Sequence, residues 1–449
     1  MGVSDYFTAF SSKFWERLRF PSKFTRDLVW GIILGITLSL SSTSAALILQ
    51  EWRRKRATQR IPPRPIELRS DEIVPGVTGL IGNTPLIRIN SLSDALGVEI
   101  LGKAEVCHFA PSFLPGLPYI KFLNPGGSVK DRVALQIIED AEAQGLLYPN
   151  TGSVLFEGTV GSTGISLATV GKAKGYESCI IMPDDVAIEK VQILEKLGAR
   201  VERVRPASIV DQKQNLARKR ALEFGKSELT NIPGHGEEIA VSTNAEPSEI
   251  NHHHLFPSAF EYKPRGFFAD QFENDSNFMA HYKGTGPEIL RQTSGNLDGF
   301  VSGAGTGGTI AGTGCFLKKA LPDLKIVLSD PEGSGLFNKV RFNVMFDPKE
   351  SEGKKRRHQV DTVVEGIDEE AVAMSRYLVQ HDGLFLGSSS ACNLIACVRL
   401  AKTMSRGSRI VTILCDSGSR HQSKFWSDDY LRANDIAIDP SIVDRLLDS

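Results

Sequence analysis

Hydrophobic and polar positions follow a regular rhythm along the chain from about residue 79 onward. Short aliphatic runs that end in small or polar residues are typical of buried strands. Six stand out: "SVLFEG", "SCIIMP", "RVERVRP", "GFVSGAG", "KIVLSDPEG" and "RIVTILCDSG". Segments between them, such as "RVALQIIEDAEAQGLL" and "AIEKVQILEKLG", have the apolar spacing of amphipathic helices. Strands that alternate with helices predict parallel sheets with crossover helices, so we expect an α/β fold with two open sheets.

The first sixty residues have a different pattern. Residues 28–49, "LVWGIILGITLSLSSTSAALIL", carry no charge and are long enough to cross a bilayer. Trp30 and Trp52 stand near the two ends, and basic residues crowd both flanks. A cleaved secretory signal would have a shorter apolar core closer to the N-terminus. We therefore predict a transmembrane helix at about 28–49, followed by the stiff, extended linker "RIPPRPIELRS".

Composition excludes several classes of function. The 449 residues suggest two or three domains, and a net charge of −1 gives no basic footprint for nucleic acid. The six cysteines form no CxxC pair, so neither a zinc site nor a secreted disulfide framework is expected. The three histidines at 252–254 lie in a polar segment, 234–264, that reads as a surface insertion. We expect no metal site there.

Ligands of open α/β sheets bind beyond the carboxyl ends of the strands. Four such exits are rich in small residues or hydroxyls: "EGTVGSTGISLA", "GAGTGGTIAGTG", "GLFLGSSSACN" and "ILCDSGSRHQS". Small residues before a helix leave backbone N–H groups free to hold a carboxylate or phosphate. The second exit also matches G-x-G-x-x-G, with Asp330 where a ribose-binding acid would stand, so a nicotinamide dehydrogenase is an alternative.

Lys130 stands at the end of "FLNPGGSVK", where a turn is expected to pass into a helix. Pyridoxal 5′-phosphate has three groups that a protein can bind: its aldehyde, its phosphate and its pyridine nitrogen. A lysine amine suits the aldehyde, a glycine-rich turn that binds anions suits the phosphate, and a serine hydroxyl after a strand suits the pyridine nitrogen. Desolvation beside such a ring would lower the pKa of the amine and make it nucleophilic. We therefore predict this cofactor, bound through Lys130.

In combination, these segments resemble the cysteine synthase and cystathionine β-synthase family of pyridoxal-phosphate enzymes. The resemblance runs from Gly79 onward through "GLIGNTPLIRI", "FLNPGGSVKDR", "GTVGSTGISLA", "GFFADQFENDSNFMAHYKGTGPEI", "GAGTGGTIAGTG", "GSSSA" and "DSGSR". It implies fold type II, similar to the tryptophan synthase β-subunit, with the cofactor between two open twisted α/β domains. The anchored N-terminus and "GSTG" are most similar to the fungal mitochondrial cysteine synthase branch.

The resemblance also implies a division of the chain. Residues 1–65 would form the anchor and linker. A larger, phosphate-binding domain would combine 66–105 with 265–449, and a smaller domain, 106–233, would carry the lysine. The protein is expected in the mitochondrion, anchored in the outer membrane, and as a homodimer.

Roles for individual residues follow from the resemblance alone. Lys130 would hold the cofactor covalently and remove the Cα proton. The substrate carboxylate would be bound by Gly158, Thr159, Val160, Gly161, Ser162, Thr163 and Gln271. The phosphate would rest on Gly305, Thr306, Gly307, Gly308 and Thr309. Ser389 would meet the pyridine nitrogen, and Ser162 would also lie beside the phenolic oxygen of the cofactor. The implied reaction is β-replacement: O-acetylserine loses acetate, and sulfide takes its place to give L-cysteine.

Three departures from the family pattern keep other readings open. Ser162 stands where the family usually has Asn, an extra segment intervenes at Val106–Lys121, and a stretch is missing after Ile367. The segment and the gap could be real or errors of the gene model. Another β-replacing enzyme such as cystathionine β-synthase, or a pseudoenzyme that has lost turnover, are therefore alternatives.

Overall fold

The computed structural model describes residues 73–106, 123–204, 210–224, 241–243, 263–331, 334–344, 362–366 and 368–448. The chain divides into two compact units, 1–62 and 63–449, and every described residue belongs to the second. The predicted transmembrane helix at 28–49, the histidines at 252–254 and nearly all of the 106–121 segment lie outside the described residues. Within the described ranges, no helix is long and apolar enough to cross a membrane.

The strands of the described part form two sheets. Their bounds are β1 Leu86–Arg88, β2 Glu99–Ala104, β3 Val154–Gly158, β4 Glu177–Pro183, β5 Arg200–Val204, β6 Val241–Thr243, β7 Arg265–Phe268, β8 Gly299–Gly303, β9 Lys325–Pro331, β10 Thr362–Gly366 and β11 Arg409–Leu414. All six aliphatic runs that predicted strands are confirmed, as β3, β4, β5, β8, β9 and β11. These strands read as aliphatic runs because helices cover both faces of a parallel sheet.

The helices of the described part connect the strands and cover the sheets. Their bounds are α1 Asn90–Leu96, α2 Lys130–Ala143, α3 Ser162–Ala173, α4 Ile188–Lys196, α5 Val210–Glu223, α6 Ser276–Ala280, α7 Gly286–Gln292, α8 Gly308–Ala320, α9 Leu336–Phe342, α10 Asp368–Asp382, α11 Ser388–Ala401, α12 Asp428–Ala433 and α13 Ser441–Asp448. A π-helical turn, His281–Thr285, joins α6 to α7.

The larger sheet has the strand order β1-β2-β11-β8-β9-β10. Only β1 and β2 run antiparallel, and the remaining pairs are parallel. Helix α11 buries Leu394 and Val398 in the core of this layer, where both side chains are 0% exposed. Strand β10 lies at the edge, just before the position where the family's missing stretch was expected.

The smaller sheet has the order β5-β4-β3-β7-β6 and corrects the predicted division of the chain. The prediction placed 265–449 in the larger domain, but β7 pairs in parallel with β3, Leu155 lying opposite Phe267. Strand β6 falls inside the predicted surface insertion and pairs antiparallel with β7. Strand β6 has three residues and β7 has four. These lengths are too short for a hydrophobic periodicity to appear, so the sequence pattern did not reveal either strand.

The exits of two strands, β3 and β8, lead directly into helices. Strand β3 is followed by α3, β8 by α8, and a further helix, α11, begins at Ser388 beside the end of β11. Two isolated bridges involve the residues after β11: Ser128 pairs with Asp416, and Leu386 pairs with Ser417. The carboxyl end of β11, in the larger sheet, therefore lies beside the turn that precedes Lys130.

A core substitution in β4 should test the smaller sheet. Ile180 is 0% exposed and packs with Ile165 and Leu194. We expect Ile180→Ala to lower the free energy of unfolding by about 2–5 kcal/mol, because it removes buried methyl groups and leaves a cavity. Denaturant unfolding measures the change. The same substitution at Ile188, which is 44% exposed, should cost less than about 1 kcal/mol; equal losses would contradict this packing.

Candidate active site

The turn before Lys130 is fixed by the residue after it. The Gly126 N–H donates to Asp131 Oδ2 at 2.6 Å, and Ser166 Oγ donates to Asp131 Oδ1 at 2.5 Å. A Cβ on Gly126 would lie 2.3 Å from Asp131 Oδ1, and Gly127 has φ +76°. Only glycines therefore allow the chain to close onto this carboxylate. Burial raises the pKa of Asp131 to about 6, although both hydrogen bonds favour the anion.

The residue after that, Arg132, lies in a buried cluster of charges. Its Nε is 2.8 Å from Glu105 Oε2 and its Nη1 is 2.7 Å from Glu288 Oε1. Lys103 Nζ reaches Glu288 Oε2 at 2.7 Å. Asn124, which opens the glycine turn, donates to Glu105 Oε2 at 2.6 Å. We call these residues the Arg132 cluster; they tie β2, the turn, α2 and α7 together.

Electrostatics within the Arg132 cluster balance burial against neighbouring charges. Burial alone would raise the pKa of Glu288, but the charges of Arg132 and Lys103 hold it well below its usual value. For Lys103, burial lowers the pKa to about 8 despite the nearby Glu288 carboxylate. Lys103, Arg132 and Glu288 are thus charged at neutral pH, because opposite charges lie beside each of them.

The turn after β8 meets Lys130, as the predicted cofactor site requires. Lys130 Nζ donates to Thr306 Oγ1 at 3.1 Å. Gly307 has φ +92° and precedes the first turn of α8. A Cβ on Gly305 would have no heavy atom of the described residues within 4 Å, so the backbone here is open. An open turn at a helix N-terminus offers N–H groups to an anion.

Two side chains of the segment after β7 support this turn, and sequence reasoning had given neither a role. Asn277 Nδ2 donates to Thr306 Oγ1 at 2.7 Å, while its buried Oδ1 has no hydrogen-bond partner among the described residues. A Cβ on Gly308 would lie 2.2 Å from that Oδ1. The second side chain is His281, which is 0% exposed and lies 3.1 Å from Thr309 Oγ1 through Nε2.

His281 is held as a neutral ring. Its Nδ1 lies 2.9 Å from Thr285 Oγ1, within the same π-helical turn. Burial, and next the positive charge of Lys130, lower the pKa of His281 well below its usual range. Single π-helical turns are frequent at functional sites. Such turns have no sequence period, so the resemblance of "FENDSNFMAHYKGTGPEI" marked the segment without indicating these contacts.

The loop between β3 and α3 contains the residues predicted to bind a carboxylate. Val160 is 57% exposed at its tip, whereas Thr159 is buried. Gly161 has φ +133°, and a Cβ there would lie 2.5 Å from Lys190 Cδ. Ser162 begins α3, and the next residue, Thr163, donates its hydroxyl to Gln271 Oε1. The structure therefore brings Gln271 to this loop, as predicted.

Ser389 lies on the first turn of α11 and is exposed. Its neighbour Ser390 is buried and accepts from the Cys415 N–H at 2.8 Å. The preceding Gly387 lies against Asp416, since a Cβ on Gly387 would be 2.1 Å from Asp416 Oδ1. Asp416 in turn bridges to Ser128 of the lysine turn. The predicted ring-nitrogen partner thus stands on a helix start joined to the turn of Lys130.

These residues fit pyridoxal 5′-phosphate. An open backbone turn with two threonines, a lysine amine within hydrogen-bond distance of that turn, and an exposed serine hydroxyl match its phosphate, aldehyde and pyridine nitrogen. The dehydrogenase alternative fits less well. Asp330 accepts from Ser334 Oγ and from the Phe337 N–H, so it caps the start of α9. Among the described residues, no cluster of three His, Cys, Asp or Glu could hold a metal ion.

Comparisons with known proteins agree with this geometry. The family described as "Pyridoxal-phosphate dependent enzyme" matches residues 120–416. "Cysteine synthase 2" of Emericella nidulans is 49% identical over 379 residues, 79% of this chain and 80% of that protein. "Putative mitochondrial cysteine synthase" of Saccharomyces cerevisiae is 44% identical and covers 85% of this chain and 89% of its own. The solved structure of O-ureido-L-serine synthase, 26% identical, has a TM-score of 0.61 over 81% of this chain and 100% of that one.

Removal of the central guanidinium should destabilise the protein strongly. We expect Arg132→Met to lower the free energy of unfolding by about 3–5 kcal/mol, because the buried Glu105 loses its ion-pair partner and Glu288 keeps only Lys103. Denaturant unfolding of the full chain measures it. Arg88→Met is the matched control: Arg88 pairs with Asp94 at the surface, where the two side chains are 39% and 71% exposed. That loss should stay below about 1 kcal/mol. Similar losses for both variants would show that the cluster contributes little.

Proposed function

The chain belongs to the family of pyridoxal-phosphate dependent enzymes, and we propose that it is a cysteine synthase. Its two mixed sheets with helical connections are those of a fold-type II enzyme of this family. One observation of the structure carries the proposal: Lys130 Nζ lies 3.1 Å from Thr306 in an open glycine-threonine turn. The relatives with the name cysteine synthase, at 44% and 49% identity, support the reaction: sulfide replaces the acetate of O-acetylserine.

The chemistry that pyridoxal 5′-phosphate supplies when bound is an electron sink for bonds at the Cα and Cβ of an amino acid. We assign its phosphate to the N–H groups and hydroxyls of the turn Gly305, Thr306, Gly307, Gly308 and Thr309. Asn277 and His281 orient the hydroxyls of Thr306 and Thr309. Ser389 offers a neutral hydroxyl to the ring nitrogen, which leaves that nitrogen without a full positive charge.

Lys130 has two roles in this proposal. Its amine would hold the cofactor covalently until the amine of the substrate replaces it there, and the freed Nζ would then take the Cα proton of the substrate. Because α2 begins at Lys130, the base stands at the end of a rigid element whose first turn is fixed by Asp131 and Arg132. A base that is held in place transfers a proton without first having to be ordered.

We assign the substrate carboxylate to the loop Thr159, Val160, Gly161, Ser162 and Thr163, with Gln271 beside it. The α3 N-terminus offers backbone N–H groups there, and Ser162 lies on its first turn. Ser162 stands where the family usually has Asn. Its hydroxyl can still donate a hydrogen bond toward the phenolic oxygen of the cofactor, but the side chain is shorter than that of Asn. With the substrate fixed and its Cα proton on Lys130 Nζ, acetate would leave Cβ; hydrosulfide would then add to Cβ, and Nζ would return the proton to Cα.

Replacement of the lysine tests the function. Lys130→Ala should abolish the visible absorbance of covalently held cofactor and lower cysteine formation from O-acetylserine and sulfide by about 10²–10⁴-fold, since both attachment and base are lost. Lys130→Arg keeps the charge and should be equally impaired. Lys172→Ala changes an exposed lysine of α3 and should leave the rate unchanged.

The assay also separates the alternatives. A protein that holds the cofactor but makes L-cysteine from no donor would be a pseudoenzyme. One that condenses L-serine with homocysteine faster than it uses O-acetylserine and sulfide would be a cystathionine β-synthase. Either result would contradict the cysteine synthase proposal, whereas rapid cysteine formation that depends on Lys130 would support it.

We also propose a mitochondrial location with a membrane anchor at residues 28–49, and a homodimer. The S. cerevisiae relative carries a mitochondrial name, and the uncharged run with basic flanks supports an anchor. In the full chain, Leu34→Arg places a charge in the middle of that run, so it should move the protein from the carbonate-resistant membrane fraction to the supernatant. Ile61→Arg, in the linker, should not. Equilibrium sedimentation of detergent-extracted protein tests the dimer.

A further inference from the structure

Glu157, the fourth residue of β3, has no role in the assignments above, yet it lies directly behind the substrate loop. Its side chain is 0% exposed. Three N–H groups point at its carboxyl group: the Gln271 main chain at 3.1 Å, Gln271 Nε2 at 3.2 Å and Gln214 Nε2 at 2.8 Å. A buried carboxyl group with this many donors links two distant parts of the chain, α5 and the segment after β7.

The same two amides also hold the first carbonyl of the loop. Gln214 Nε2 donates to Gly158 O at 2.7 Å, and Gln271 Nε2 donates to it at 3.1 Å. The other end of the Gln271 amide accepts from the Thr163 hydroxyl. The orientation of Gln271 is therefore fixed from both sides: its nitrogen faces Glu157 and Gly158, and its oxygen faces the loop.

Among the described residues, Asp270, just after β7, is a charged neighbour that disfavours the ionised form of Glu157. Helix α5 presents the Gln214 amide, and the main chain of Lys213 lies against Gly158. Burial first, and Asp270 after it, raise the pKa of Glu157 to about 8, although the amides favour the anion. At neutral pH this side chain therefore carries its proton.

We propose that Glu157 is a positioning residue for substrate binding: its carboxyl group holds the Gln214 and Gln271 amides, and through them the Gly158 carbonyl, in place beside the loop that takes the substrate carboxylate. Ionisation of Glu157 places a negative charge behind that loop and weakens the binding of an anionic carboxylate group. The inference rests on the proposed function, because it takes the loop to be the carboxylate site. It makes Glu157 a determinant of KM, and not of the chemical step.

The test compares KM and kcat for O-acetylserine between pH 6.5 and 9.5 in the wild type, Glu157→Gln and Glu273→Gln. Glu273 is an exposed carboxylate close by in sequence, so its variant controls for the change itself. In the wild type and the control, KM should rise as the pH increases above about 8, by up to about tenfold per pH unit. This rise should exceed any rise of KM in Glu157→Gln over the same pH range. The kcat values of the three proteins should have the same pH profile. Parallel KM profiles would overturn the inference.

A second variant should shift the pH at which KM begins to rise, instead of removing the rise. Gln214→Leu removes a hydrogen bond that favours the anion, so the rise in KM should shift to higher pH. A merely structural role predicts a change in KM at every pH with no shift of the transition. This variant decides the question if Glu157→Gln does not fold.

A stability measurement without cofactor keeps the inference separate from the proposed function. The folded pKa of Glu157 lies above its ordinary value, so the neutral group stabilises the fold fully below about pH 4.5 and this stabilisation is lost as pH rises to about 8. The unfolding free energy of the wild type should fall over this window relative to Glu157→Gln and level off above it. A constant difference would show that Glu157 does not ionise there and would overturn the inference.

If the protein forms no cysteine, the proposed function fails, but the inference is still decided. Calorimetric titration of O-acetylserine into the cofactor-loaded protein then gives Kd in place of KM. A Kd that rises above about pH 8 in the wild type but not in Glu157→Gln supports the positioning role. A Kd with the same pH dependence in both, or no detectable binding, contradicts it.

Discussion

A guanidinium buried between two carboxylates is the constraint on which the site depends. Arg132 comes two residues after the lysine, and its partners Glu105 and Glu288 lie in parts of the chain separated by more than 150 residues. Buried ion pairs add little to stability over a well-packed apolar core, but one that is complete permits a single arrangement of its elements. Here that arrangement fixes where α2 starts, and therefore where the Lys130 amine lies.

The turn Gly305–Thr309, which we propose binds the phosphate, has a similar support. Its two threonine hydroxyls are each held by a side chain of the segment 277–281, an amide for Thr306 and a neutral imidazole for Thr309. Because the imidazole is uncharged, the positive charge beside the turn comes from the lysine and not from its support. Donors that are oriented before a ligand arrives need no ordering when it binds.

The sequence alone predicted the parts of the fold with a period or a long apolar run. Five of the six predicted strands, β3, β4, β8, β9 and β11, are largely buried, and parallel strands covered on both faces read as continuous aliphatic runs. The meeting of Lys130 with Thr306 was also anticipated, since the amine and the glycine-threonine turn were expected to hold the same cofactor. The short strands β6 and β7 were missed. So were Glu157, Asn277 and His281, because a buried polar side chain shows its purpose only through partners that lie far away in the chain.

The strand order of the larger sheet has a consequence for synthesis on the ribosome. Strand β11, near residue 410, lies between β2, near residue 100, and β8. The smaller sheet needs nothing beyond residue 268, so it can close while the rest of the chain is still being translated. The larger sheet cannot form until β11 has been translated, about three hundred residues after β2. Until then β2 lacks β11, the strand with which it pairs in the folded protein. A nascent chain of this protein thus exposes an open strand edge for most of its elongation, and such an edge is a template for pairing with other chains.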